Sequence, residues 1–201
     1  MRAVKLVGLT GGIASGKSSV AAILRRLGAA IINADELSRE VVQPEQEAWK
    51  EIIETFGPDM LQEDKTLDRK KLRTLVFDHP EARKQLEAII HPRVRALAER
   101  RIGELTAAGS SVIVYEVPLL FEGQIHLWLR PVILVACDIK TQKQRLLERD
   151  QLTELEAQKH IDAQMSLAEK RKLADYVIEN DGSLAELEQQ VRSVLQKIQA
   201  T

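Results

Sequence analysis

Residues Gly11 to Ser18 read Gly-Gly-Ile-Ala-Ser-Gly-Lys-Ser, matching G-x-x-x-x-G-K-[ST] at Gly11, Gly16, Lys17 and Ser18. The flanks give the string its meaning. Before it, Val4-Lys5-Leu6-Val7-Gly8-Leu9 is a mostly apolar run of strand length. After it, Ser19 to Leu27 places apolar residues at helical spacing and stops at Gly28. Strand, glycine loop and helix start therefore come in the order a phosphate-binding loop needs. Glycines let successive backbone N–H groups turn toward phosphate oxygens. The first helical turn adds unpaired N–H groups and a partial positive charge. Gly11, Gly12, Ile13, Ala14, Ser15, Gly16, Lys17, Ser18 and Ser19 are thus expected to hold a nucleoside triphosphate, ATP by default. Lys17 is placed for the β- and γ-phosphates, and the Ser18 hydroxyl for Mg²⁺. A glycine-rich turn with an incidental Gly-Lys-Ser is the competing reading, and the flanking strand and helix disfavour it.

The whole chain has 201 residues, enough for one core and a small appended subdomain. At 44% hydrophobic and 29% charged it has the composition of a globular protein. A formal net charge of -1 gives no basic field for nucleic acid. Two Trp, two Tyr and three Phe are too few for a base-stacking platform. The one cysteine, Cys137, ends the apolar run from Val132 and reads as a buried strand residue, so no disulfide framework is available within the chain. The N-terminal apolar stretch is short and runs straight into the phosphate loop, so it is not expected to act as a signal peptide. No apolar run reaches the roughly 18 residues of a membrane helix. A reducing, cytoplasmic setting without membrane or protein partner is the expectation.

Beyond Gly28, Ala29-Ala30-Ile31-Ile32 reads as a second strand, with Asn33 or Asp35 placed to cap the next helix. A helix carrying Trp49, Ile52, Ile53 and Phe56 follows Pro44 and closes at Gly57-Pro58. Residues 58 to 67 read as a loop or tight turn. Asp68 caps the next helix, and another from Glu81 to Ile90 meets a boundary at His91-Pro92. Helical spacing then continues to Gly109, so residues 35–109 form a helical block. Ser111 to Glu116, Val132 to Cys137 and Tyr176 to Ile178 supply three more strands, and Ser183 caps a last helix. Such apolar strands fit a parallel sheet covered on both faces. The expected architecture is a doubly wound α/β domain with a helical insertion and a charged helical flap.

Ligands of open α/β sheets gather at the carboxyl ends of the strands. Asp35, Glu116 and Asp138 fall there. Asp35 suits either a helix N-cap or a carboxylate that positions or deprotonates a hydroxyl nucleophile during phosphoryl transfer. Glu116 suits a Mg²⁺-bound water or a strand-end turn, and Asp138 a helix cap. Arg145 and Arg149, four apart on one helix face, fit basic groups that close over the γ-phosphate, as do Lys170 and Arg171. A solvated helix face is the alternative for each. The four histidines show no metal-ligand spacing.

Several segments together resemble the dephospho-CoA kinase family over essentially the whole chain. They are Leu9 to Ser18, Asn33-Ala34-Asp35, Leu67-Asp68-Arg69, His91-Pro92, Val117-Pro118-Leu119-Leu120-Phe121-Glu122 and Ala174 to Asn180. The resemblance implies an α/β fold: a five-stranded parallel P-loop kinase core with a helical substrate-binding insertion and a helical lid. It implies residues 1–34, 110–138 and 173–201 as core, 35–109 as CoA domain and 139–172 as lid. The implied reaction is phosphorylation of the ribose 3′-hydroxyl of dephospho-CoA by ATP and Mg²⁺. Asp35 would act on that hydroxyl, with Lys17, Arg69 and the lid residue Arg149 at the transferred phosphate. His91, Pro118, Leu119 and Leu120 would lie along the acceptor, and Asn180 near the adenine. Asn33, Glu116 and His160 depart from the family's usual Asp, Asp and Arg. Two rival readings remain. Another small-molecule kinase, for a nucleoside monophosphate or shikimate, would share the loop and Asp35. A nucleotide switch is disfavoured because no N-K-x-D motif occurs.

Overall fold

The computed structural model describes residues 4–200. Five strands, β1 (Lys5–Gly11), β2 (Ala30–Asn33), β3 (Val112–Glu116), β4 (Val132–Ala136) and β5 (Tyr176–Glu179), form one sheet in the order β2-β3-β1-β4-β5. Leu9 of β1 stands opposite Glu116 on one side and Ile133 on the other, both in parallel register. β5 pairs parallel to β4, with Ile178 beside Val135. The expected five-stranded parallel core is therefore present. With β1 at its centre, the chain leaving the carboxyl end of β1 emerges where the strand order switches direction.

Nine helices are described: α1 (Lys17–Arg26), α2 (Ala34–Glu40), α3 (Glu47–Phe56), α4 (Arg69–Asp78), α5 (Pro80–Ala107), α6 (Ile139–Asp150), α7 (Glu154–Asp162), α8 (Leu167–Leu173) and α9 (Leu184–Ala200). One sheet face, with Val7, Leu9, Val112, Val114, Ile133 and Val135, is covered by Val20, Ile23 and Leu24 of α1 and by Leu187, Val191 and Leu195 of α9. Every residue of β3 and β4 is buried, which is why those strands are apolar throughout instead of alternating. Gly8 faces the other way. A Cβ there would lie 2.9 Å from Leu120 Cδ1 and 3.2 Å from Leu129 Cδ2, so these leucines pack down onto the strand backbone.

The chain divides into two compact units. One runs to Ile32 and resumes at Leu105; the other is Asn33–Glu104. The second is helical, with a short 3-10 turn at Pro58–Met60 and one isolated bridge between Leu61 and Leu67. Leu37, Ala48, Ile52, Leu72, Ile89 and Leu97 are buried within it.

Two local features correct or settle the sequence reading. The helix boundary expected at His91-Pro92 is absent, because α5 continues through Pro92. A proline inside a helix loses a backbone hydrogen bond at a cost of about 3 kcal/mol. Here burial of Ile89 before it and of Leu97 and Ala98 after it holds both halves in line, and Arg93 Nη1 donates to the Ile89 carbonyl at 2.7 Å. At the start of α2 it is Asn33 that caps: its Oδ1 accepts from the N–H groups of Asp35 (2.8 Å) and Glu36 (3.2 Å). The carboxylate of Asp35 takes no part in that cap. Asp68 and Asp138 cap α4 and α6 as their positions suggest.

Candidate active site

The phosphate loop spans the gap from the end of β1 at Gly11 to the start of α1 at Lys17. Ala14 (φ 57°) and Gly16 (φ 89°) are left-handed, which curls the backbone into a concave turn. A Cβ at Gly16 would overlap Asn180 Nδ2, so both the left-handed angle and this close approach require glycine.

The loop is held from outside by side chains of the same unit. Gln142 Nε2, on α6, donates to the Ile13 carbonyl at 2.8 Å. Arg145 Nη1, one turn on, reaches the Ala14 and Ser15 carbonyls at 3.4 and 3.3 Å. Asn180 Nδ2, just past β5, donates to the Ser15 carbonyl at 2.8 Å, and its own carbonyl accepts from Arg145 Nη2 at 2.9 Å. In a planar trans peptide the C=O and the following N–H point in opposite directions. With the carbonyls of Ile13 and Ser15 pinned outward, the N–H groups of Ala14 and Gly16 must face the concave side. The Ser15 N–H closes the turn onto the Gly12 carbonyl at 3.1 Å. Ser18 and Ser19 lie exposed in the first turn of α1, where helix N–H groups lack intrahelical i−4 partners; the Ser19 N–H turns back to the Gly16 carbonyl at 3.0 Å. The result is an anion cradle.

Lys17 is the charge of that cradle. Its Nζ forms an ion pair with Glu116 Oε1 at the end of β3. The lysine side chain is 17% exposed and the carboxylate 6%. Thr10 Oγ1 donates to the Pro118 carbonyl at 3.0 Å, fixing the segment that follows β3. Within that segment Leu119 is half exposed, whereas Leu120 is buried over Gly8. A hard cation takes oxygen ligands, and the Ser18 hydroxyl and the Glu116 carboxylate are oxygen-bearing groups near the loop.

Arg149 occupies the last turn of α6, exposed and bidentate to its neighbour Asp150 at 2.8 and 2.7 Å. That hydrogen-bonded pairing lowers the Asp150 pKa and raises that of Arg149. Lys170 is completely buried, its Nζ 2.8 Å from Glu122 Oε1, so it is neither a solvated face nor a closing cation. Arg171 pairs with Glu179, holding that carboxyl below its usual range. Cys137 is buried just past β4, and burial pushes its thiol up to about 11. Asp35, in the first turn of α2, Arg69, the first residue of α4, and His91, midway along α5, are exposed and belong to the helical unit.

Sequence reasoning missed Gln142 and Gln164, the second of which accepts the Ile13 N–H at 2.9 Å. A lone glutamine carries no motif. The available hint was that Gln142, Arg145 and Arg149 fall at i, i+3 and i+7 on α6.

A family model described as dephospho-CoA kinase matches residues 5–186. A protein named dephospho-CoA kinase from Geobacillus kaustophilus is 46% identical over 193 residues, 95% of each chain. One from Geobacter sulfurreducens is 43% identical over 194 residues, 96% of this chain and 98% of the relative. Among solved structures, TT1252 from Thermus thermophilus superposes with a TM-score of 0.83 at 36% identity, covering 96% of this chain and 97% of that one. A dephospho-CoA kinase from Campylobacter jejuni gives 0.73 at 31% identity, covering 96% of each. Shikimate kinase from Acinetobacter baumannii, at 16% identity and a TM-score of 0.54 over 99% of this chain and 95% of that one, shares the fold.

Proposed function

This chain belongs to the dephospho-CoA kinase family, and from that premise we propose how its residues share the ATP-dependent phosphorylation of dephospho-CoA. The protein is a phosphotransferase with an alcohol acceptor, acting in coenzyme A biosynthesis. The observation that carries the assignment of roles is the loop itself. Its carbonyls are pinned outward and its N–H groups turned in, beside a lysine held by a buried carboxylate.

Phosphoryl transfer asks little covalent chemistry of a protein; positioning and neutralisation of charge dominate. The loop from Gly11 to Ser19 takes the β- and γ-phosphates of ATP, with the N–H groups of Ala14 and Gly16 among those turned toward them. Lys17 exchanges its contact with Glu116 for phosphate oxygens. Ser18 and Glu116 are the residues that would hold Mg²⁺, directly or through water. When bound, that ion neutralises phosphate charge. Asp35, whose carboxylate the Asn33 cap leaves uncommitted, receives the proton of the ribose 3′-hydroxyl or orients it. Arg69 and Arg149 supply further positive charge at the transferred phosphate, Arg149 by leaving Asp150 as residues 139–172 close as a lid. His91, Pro118, Leu119 and Leu120 are assigned to the acceptor side, with Leu120 acting from beneath through its neighbours, and Asn180 shapes the adenine end of the loop. The compartment of action is the cytoplasm.

Asp35→Asn tests this division. The amide keeps size and hydrogen bonding but cannot take a proton, so kcat should fall by about 10²–10⁴-fold, the range of a positioned base. The dissociation constant for ATP, read by calorimetry, should stay within about twofold, since the binding energy comes from the loop. An unchanged kcat would remove Asp35 from the reaction.

A further inference from the structure

Gln142 and Gln164 grip the two consecutive peptide groups that flank the Ile13 Cα, with opposite polarity. Gln142 Nε2 donates to the Ile13 carbonyl at 2.8 Å, and Gln164 Oε1 accepts the Ile13 N–H at 2.9 Å. The two amides come from different elements, α6 and the turn between α7 and α8, and lie 129 and 151 positions from Ile13. Gln142 is itself buried, at 3% exposure. The turn that presents Gln164 has its own anchor. Glu122 Oε1 accepts the N–H of Met165 at 3.1 Å and forms the ion pair with the fully buried Lys170. The backbone that follows Gln164 is thereby fixed at Met165 and, through Lys170, at α8.

We infer that Gln142 and Gln164 are positioning residues for ATP: a donor and an acceptor that set the orientation of the Ile13 peptides and, through them, the inward turn of the loop N–H groups. Neither side chain needs to touch the nucleotide. The inference rests on the reading of Gly11 to Ser19 as the triphosphate cradle. Its chemical content is the polarity. A peptide N–H accepts no substitute for an acceptor, and a carbonyl none for a donor. A buried backbone group whose bond is left unmade has given up water for nothing, so losing either contact weakens the arrangement it holds.

The polarity supplies a crossed test that packing alone cannot mimic. Gln164→Glu retains an oxygen for the Ile13 N–H, whereas Gln164→Met removes it at nearly constant volume. Gln142→Glu replaces the donor by an acceptor facing a carbonyl, and Gln142→Met merely deletes it. Both Glu variants add the same negative charge beside the loop, so each controls for the other. We expect the KM for ATP to rise about tenfold for Gln164→Met and for Gln142→Met. Gln164→Glu should bind ATP more tightly than Gln164→Met, and Gln142→Glu more weakly than Gln142→Met. The KM for dephospho-CoA should move by less than about twofold in all four, because the clamp addresses only the triphosphate side. Circular dichroism and melting temperature of each nucleotide-free variant establish that it is folded.

Equal damage from the two Glu variants, or a loss of thermal stability with no crossed order in KM, would overturn the clamp. Parental ATP affinity in both Met variants would do the same. Lys17→Ala run alongside separates the premise from the inference: if it binds ATP like the parent, the cradle reading itself fails.

Discussion

The two units solve different problems with the same kinds of side chain. In the unit that carries the phosphate loop, polar groups reach across the sequence to grip backbone: Gln142 to Ile13, Arg145 and Asn180 to Ser15. Charges there are paired with one partner buried and the other half-buried, Glu116 with Lys17 and Lys170 with Glu122. In the helical unit the ion pairs are exposed and mostly one turn apart, as in Lys84–Glu81, Arg95–Glu99 and Arg100–Glu104 along α5. A loop that must present N–H groups to phosphate needs its backbone fixed from many sides. Helices that present side chains need only be soluble and stable. Long-range polar contacts to backbone therefore mark where the loop geometry is fixed, and most exposed local pairs mark helix surface.

That contrast can be broken most severely at Glu122. Glu122→Gln keeps an acceptor for Met165 but leaves the buried ammonium of Lys170 without a counter-charge, which should cost about 3–5 kcal/mol in urea unfolding. The double variant Glu122→Gln/Lys170→Met should recover most of it. A single variant as stable as the parent would show that Lys170 does not depend on Glu122 for its counter-charge.

Lys17→Ala comes next. Loss of one charged contact in a water-poor site should lower kcat by about 10²–10³-fold in steady-state assays. It also removes the ammonium beside the buried Glu116 carboxylate, so adding Glu116→Gln should restore melting temperature without restoring turnover. Recovery of turnover in the double variant would contradict a direct role for the lysine.

Across the helical unit the effects should be small. Arg101, paired with Glu40 while both side chains are over 40% exposed, should contribute less than about 1 kcal/mol when changed to Ala. A larger loss in denaturant unfolding would erase the distinction between the units.

Smallest at neutral pH is Cys137. Burial raises its thiol from 9.0 to about 11, so the folded state holds a proton that the unfolded state releases between those values. Stability contributed by the neutral thiol is present below pH 9 and lost as pH rises toward 11. Cys137→Ala should therefore match the parent's pH slope up to pH 9 and show a shallower fall above it; identical slopes would place the thiol in water.

Much of this was legible because the deciding signals are local. The phosphate loop is a contiguous string between a strand and a helix, and the buried strands read as apolar runs. Asp138 stood where a cap was needed, and its Oδ1 accepts the Thr141 N–H at 2.7 Å. What the string hides is set by the third dimension. The choice between Asn33 and Asp35 as cap turned on a single backbone geometry. Pro92 reads as a helix stop by propensity, and only burial on both sides of it keeps α5 continuous. Lys170 looks like any basic helix residue until Glu122, 48 positions earlier in the numbering, is found beside it. Gln142 and Gln164 carry no pattern at all.

The central claim is that the cradle delivers phosphate to one particular hydroxyl acceptor. ADP release from ATP and Mg²⁺ should be measured with dephospho-CoA, AMP and shikimate added separately. Acceleration by dephospho-CoA alone is the predicted result. Stimulation by AMP or shikimate, or equal turnover with no acceptor, would contradict it.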